Sequence, residues 1–170
     1  MCTLIVYATK HGSVKRCAEI LSSKFDGQVV LINVKETEDL DLSKYDKVII
    51  GGSIYAGRIQ KEILEFCNNN LKELLAKKIA LFICCMIEKE AEKQLATAFP
   101  KELLDCSLAN KSFGGELKFK EMSFWERLIS KMVSKLLAKE DPSLVLDTKE
   151  NISKLSMKDI DDLAKIMNEA

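Results

Sequence analysis

Thr9, Lys10, His11, Gly12 and Ser13 gather two hydroxyls, a cation and an imidazole around one glycine. They follow the apolar run Thr3-Leu4-Ile5-Val6-Tyr7-Ala8 and precede a stretch of helical spacing. The chemistry of such a loop is anion binding. The first N–H groups of a helix have no intrahelical partner and sit at the positive end of its dipole, so a dianionic phosphate satisfies both. An ordinary βα turn with a good cap uses the same residue types, so this loop alone leaves both readings open. A second loop bears on the choice. Val48-Ile49-Ile50 runs into Gly51-Gly52-Ser53-Ile54-Tyr55-Ala56-Gly57, a glycine-bounded segment that can emerge beside the first loop and reach a flat ring. Tyr55 is read either as a stacking aromatic or as a loop tyrosine packed on its neighbours. Cys84-Cys85-Met86-Ile87-Glu88 is the third segment, which follows another apolar run and has no aromatic of its own.

Other chemistries are excluded by what is missing. His11 is the only histidine, so no histidine-dependent metal cluster or charge-relay triad is expected. It is read as a phosphate-loop donor or as an exposed loop residue. The six cysteines, at 2, 17, 67, 84, 85 and 106, include no C-x-x-C pair, so neither a zinc site nor a redox dithiol is signalled, and Cys84 and Cys85 read as packing residues. No pair of side chains stands out as acid and base, which leaves ligand contacts rather than catalytic groups as the candidate site. Twenty-six basic and 26 acidic residues cancel, against the broad basic footprint of a nucleic-acid binder. No signal-peptide pattern is visible, so reduced thiols in a cytoplasm are expected. Apolar runs fall well short of the ~20 residues of a membrane span.

The elements that position these loops alternate. β-rich runs at 3–8, 28–34, 46–51, 79–86 and about 107–113 interleave with helical spacing at 13–25, 58–76, 88–98 and 153–168. Val48–Ile50 and Ile79–Ile83 are continuously apolar, as parallel strands covered on both faces should be. A single α/β domain over residues 1–170 is expected, a three-layer doubly wound sandwich with its ligand beyond the carboxyl ends of the strands.

The residues Ile5-Val6-Tyr7-Ala8-Thr9-Lys10-His11-Gly12-Ser13-Val14-Lys15-Arg16-Cys17-Ala18 resemble the opening of flavodoxin-like proteins. The resemblance implies a five-stranded parallel sheet of order 2-1-3-4-5 and a non-covalent flavin mononucleotide (FMN). It further implies that Thr9, Lys10, His11, Gly12, Ser13 and Val14 wrap the phosphate, largely through backbone N–H groups. Ser53, Ile54, Tyr55, Ala56, Gly57, Cys85 and Met86 would border the ring. Val14 stands where the family usually has Thr; it keeps the N–H and lacks the hydroxyl, a difference of roughly 1.5–3 kcal/mol for one bond to a charged group. Val14→Thr is therefore expected to tighten flavin binding.

Gly51-Gly52-Ser53-Ile54 followed by Gly57 is similar to the corresponding loop of menaquinone-dependent protoporphyrinogen dehydrogenases, which carry a late insertion. Here residues 115–148 hold an insertion in which Phe124, Trp125, Leu128, Ile129, Met132, Val133, Leu136 and Leu137 alternate with Arg127, Lys131, Lys135 and Lys139, an amphipathic basic helix. Three fates of the 124–137 stripe stay open: packing on its own domain, docking to a protein partner, or lying on an anionic membrane. The resemblance implies an FMN-dependent oxidoreductase that passes hydride or electrons from a reduced substrate to a quinone-type acceptor, in the cytoplasm or at the inner face of its membrane. Its alternatives are an electron shuttle without a small substrate and a flavin-less interaction module.

Overall fold

A computed structural model of the chain describes residues 2–9, 12–37, 40–55, 57–117 and 152–170. Strands β1 (Cys2–Ala8), β2 (Gln28–Asn33), β3 (Lys47–Tyr55), β5 (Lys78–Cys84) and β6 (Ala109–Ser112) pair in parallel, and the short β4 (Arg58–Ile59) adds antiparallel to β3. The sheet order is β2-β1-β3-β5-β6. Counting the parallel strands alone, that is the 2-1-3-4-5 order expected from the sequence.

Both faces of the sheet are covered, which is why its central strands read as unbroken apolar runs. Leu4, Val6, Val48, Ile50, Ile79, Leu81 and Ile83 share one cluster. Helices α2 (Lys61–Asn69), α3 (Leu71–Leu74), α4 (Glu88–Ala98) and α5 (Lys101–Cys106) add Ile63, Cys67, Leu74, Ala98 and Leu103 to it. The alternate residues Ile5, Tyr7, Ile49, Ala80, Phe82 and Cys84 share a second cluster with α1 (Ser13–Ser22) and α6 (Met157–Glu169). Val14, Cys17, Ala18 and Leu21 are the buried stripe of α1, and Ile160, Leu163, Ala164 and Met167 that of α6, spaced i, i+3, i+4, i+7 as a one-sided helix requires. Each fully buried Leu, Ile or Phe contributes about 1.5–3 kcal/mol, against about 0–1 kcal/mol for an exposed pair such as Lys15–Glu19. The two clusters therefore dominate the stability.

Two expected helices begin later than their spacing suggests. Arg58–Ile59 is strand, so the 58–76 stretch starts its helix at Lys61 and is broken at Asn70 into α2 and α3. Residues 152–155 form strand β8, and the last helix starts only at Met157, where the Ser156 hydroxyl accepts the Asp159 N–H at 3.3 Å. β8 (Ile152–Leu155) pairs antiparallel with β7 (Gly114–Leu117) in a separate ribbon. Neither strand has an alternating apolar pattern of its own, because the ribbon is made by a pairing between residues far apart in the chain. Gly114 has φ +72°, and a Cβ there would lie 1.8 Å from the Lys154 carbonyl oxygen. The expected 124–137 helix lies outside the described residues.

Candidate flavin site

Register brings the three loops to one end of the sheet. Ala8 is opposite Gly52, and Ser53 is opposite Cys84, so the chain leaves β1, β3 and β5 side by side at their carboxyl ends, where ligands of doubly wound sheets bind.

The first loop ends in a helix start prepared for an anion. The Gly12 N–H donates to Thr9 Oγ1 at 2.9 Å, and Gly12, at φ 81°, is the N-cap of α1. No side chain caps the helix, and its first turn holds no acidic residue. The first ladder bond runs from the Arg16 N–H to the Gly12 carbonyl at 2.9 Å, so the N–H groups of Ser13, Val14 and Lys15 precede the ladder. Ser13 is buried, and the Val14 side chain is fully buried with Ile5, Tyr7, Ile49 and Phe82. Val14 thus offers the loop its N–H while its isopropyl group belongs to the core. Lys10 and His11 lie outside the described residues.

The second segment is a hairpin rather than an open loop. β3 continues through Gly51 and Gly52 to Tyr55, and Ile54 and Tyr55 pair with Ile59 and Arg58 across a turn containing Gly57 at φ 78°. The two inner glycines are packing residues. A Cβ at Gly51 would fall 2.0 Å from the Phe82 ring, and one at Gly52 would fall 2.8 Å from Ile59 Cγ1. Phe82 in turn stacks on Phe113, with centroids 4.5 Å apart. The Ser53 N–H donates to Gln60 Oε1 at 2.9 Å, while Gln60 Nε2 is a buried donor with no partner among the described residues. Ser53, Ile54 and Tyr55 are half-buried at the strand end; Ala56 lies outside the described residues.

In the third segment the Cys85 side chain is buried in the α2–α5 layer, which leaves its backbone rather than its thiol at the strand end. Burial raises its thiol pKa. Met86 is half-buried, and a Cβ on Gly115 would approach its Cγ and Sδ to 3.0 Å. Cys84 and Cys17 touch, Sγ to Sγ 3.6 Å. Their mutual hydrogen bond and their burial hold the Cys84 thiol well above its ordinary pKa, the state of an inert core thiol. Among the described residues no cluster of His, Cys, Asp or Glu could hold a metal.

One polar cluster escaped the sequence reading. Arg16 Nη1 donates to Glu116 Oε1 at 2.6 Å, and the Ser153 hydroxyl donates to the same oxygen at 2.9 Å. Glu116 is 9% exposed, and its Oε2 is buried without a partner among the described residues. One hundred residues separate Arg16 from Glu116, and no local pattern signals such a pair. Only the glycines before Glu116, which let β7 approach β8 and Met86, mark the place.

Comparisons with known proteins bear on the fold and the family. The chain is 23% identical over 145 residues to protoporphyrinogen IX dehydrogenase [quinone] of Escherichia coli K12, covering 80% of each chain. It is 21% identical over 150 residues to the Leishmania major protein of the same name, covering 82% of this chain and 65% of that one. Oxidised flavodoxin 1 of Bacillus cereus superposes with a TM-score of 0.53 at 13% identity, over 79% of this chain and 98% of that one. A family described as flavodoxin domain matches residues 4–143, a span that takes in all three loops and all of the parallel sheet except Cys2 and Thr3; the chain belongs to the flavodoxin domain family.

Proposed function

We propose that the chain is an FMN-dependent oxidoreductase that takes hydride or electrons from a reduced substrate of the protoporphyrinogen type and passes them to a quinone. The observation that carries the cofactor is the uncapped, acid-free N-terminus of α1 behind the Thr9–Gly12 hydrogen bond. Its donor chemistry suits a phosphate monoester. The orphan donor Gln60 Nε2 beside the hairpin and the missing Cβ of Gly57 at the turn are further features that a flat polar ring would use. Thr9, Lys10, His11, Gly12, Ser13 and Val14 would hold the phosphate; Ser53 to Gly57, Cys85 and Met86 would border the ring. Bound there, FMN supplies two-electron chemistry, and the protein supplies orientation, access and potential. Glu116 and Arg16 fix β7 to the first turns of α1, holding the phosphate-loop helix against the ribbon.

The substrate and acceptor rest on the similarity to the two dehydrogenases. The quinone reading also accounts for the 124–137 stripe as a peripheral membrane contact. Among the described residues no helix is long and apolar enough to cross a membrane. The competing reading is an electron shuttle, in keeping with the fold shared with flavodoxins. Purified protein is expected to carry flavin absorbance, to oxidise protoporphyrinogen IX with a soluble menaquinone analogue, and to sediment with anionic liposomes in a salt-dependent way. Failure to bind added FMN sinks both redox readings. Bound FMN without turnover leaves the shuttle, and no sedimentation removes the membrane contact.

A further inference from the structure

Resting on the oxidoreductase reading, we propose that the groove between the β3–β4 hairpin, α2 and α4 is a carboxylate-recognising subsite, with Arg58 anchoring the acid side chain of a flat, apolar substrate. The groove encloses about 600 Å³, and Gly57, Arg58, Lys61, Leu64, Gln94 and Ala98 are among its lining residues. That volume is in the range of small-molecule sites. Gly57 belongs both to this groove and to the turn expected at the ring edge, so a substrate in the groove abuts the flavin site.

The lining is amphipathic. Ile59 and Ala98 are buried beneath the groove, and Leu64 adds apolar wall. Gln94 brings its amide Nε2 to 3.8 Å from the place a Gly57 Cβ would occupy. The charges are unequal in a way that selects the ligand. Lys61 is held by Glu65 at 2.6 Å, and the nearby Glu62 is held by Lys35 at 3.1 Å, so these acidic neighbours are already paired. Arg58 is exposed and has no ion-pair partner among the described residues. One unpaired guanidinium presents a planar fork that matches a carboxylate. The apolar floor beneath it matches the body that carries the acid. Protoporphyrinogen, a tetrapyrrole with propionate side chains, belongs to this class.

The test uses protoporphyrin IX and its dimethyl ester as fluorescent probes of the full-length protein. Wild-type protein should bind the diacid about five- to tenfold more tightly than the ester. Arg58→Gln should weaken the diacid by the same factor and leave the ester unchanged, and Arg58→Lys should fall between. Equal diacid affinity in wild type and Arg58→Gln, or equal affinity of wild type for acid and ester, overturns the subsite. FMN titrations of the same samples separate the two proposals. Arg58-dependent porphyrin binding in a protein that takes no FMN keeps the subsite and removes the oxidoreductase. FMN binding without an Arg58 effect does the reverse. Thermal melts check the fold; should Arg58→Gln not fold, Gln94→Met is the second variant, expected to weaken both probes, and unaltered affinity for both counts against the groove.

Discussion

Val14 sits at the junction of two demands. Its N–H belongs to the helix start and its side chain to the core, fully buried. Val14→Thr exchanges a buried methyl for a hydroxyl, which costs about 1 kcal/mol when the group finds no partner. The apo variant is expected to melt below wild type, and FMN should raise its melting temperature by more than it raises that of wild type. Equal ligand-induced shifts in the two proteins would remove the hydroxyl argument. Cys67 gives a pH prediction. Burial pushes its thiol from 9.0 up to about 12. The folded state therefore keeps a proton that the unfolded chain releases above pH 9. The contribution is full below pH 9 and is lost as pH rises towards 12, with an upper limit on the order of 4 kcal/mol. Cys67→Ala should be less stable than wild type at pH 7 because of the cavity, yet lose less stability between pH 9 and 11 in urea titrations. Parallel curves for the two proteins would contradict this account.

At the scale of elements, the end of α6 is tied to the start of β3. The buried Lys47 ammonium donates to the Met167 carbonyl at 2.5 Å and faces that of Asn168 at 3.5 Å, putting a cation at a helix C-terminus whose last carbonyls have no ladder partner. Lys47→Met keeps the apolar stem and removes the charge. It is expected to cost about 1–3 kcal/mol by chemical denaturation, with amide exchange rising first in the last turn of α6. Uniform exchange along α6 would mean that the cap is not what anchors it. Helix starts and turns of this kind were only partly legible. The Ser156 cap of the last helix is a finding of the structure, and the apolar spacing read as helix from residue 153 carries Ile152–Leu155 into a strand. Arg58–Ile59 was absorbed into the helix pattern for the same reason: a two-residue strand has no period of its own.

At the scale of the molecule, one ribbon joins two segments that are far apart in the chain. Leu117 and Ile152 are register partners, so residues 118–151 start and finish at adjacent strand ends. Replacing them by an Asn-Gly turn closes the ribbon with a short hairpin. Loop-closure entropy changes only slowly with length. The shortened chain should still unfold cooperatively, within about 2 kcal/mol of the full chain, and should keep its FMN binding. Turnover with the quinone and sedimentation with liposomes should both fall. Full turnover and unchanged sedimentation in the shortened chain would show that residues 118–151 have no part in either.

The sequence by itself determined the layer order and the place of the loops. Apolar runs covered on both faces and one-sided helices are periodic signals, and periodicity is a local property. It also marked the candidate phosphate loop, because a strand, a small hydroxyl-bearing turn and a helix start are contiguous in the chain. What the tertiary structure alone decided is whatever depends on two distant segments meeting. Gly51 and Gly52 look like loop residues in the sequence, and their place inside β3 follows from the Phe82 ring and the Ile59 side chain that press on them. Cys17 meets Cys84, Arg16 meets Glu116, and β7 meets β8 across long separations. No local pattern encodes those pairings, since they arise only when the sheet's register has brought the partners together.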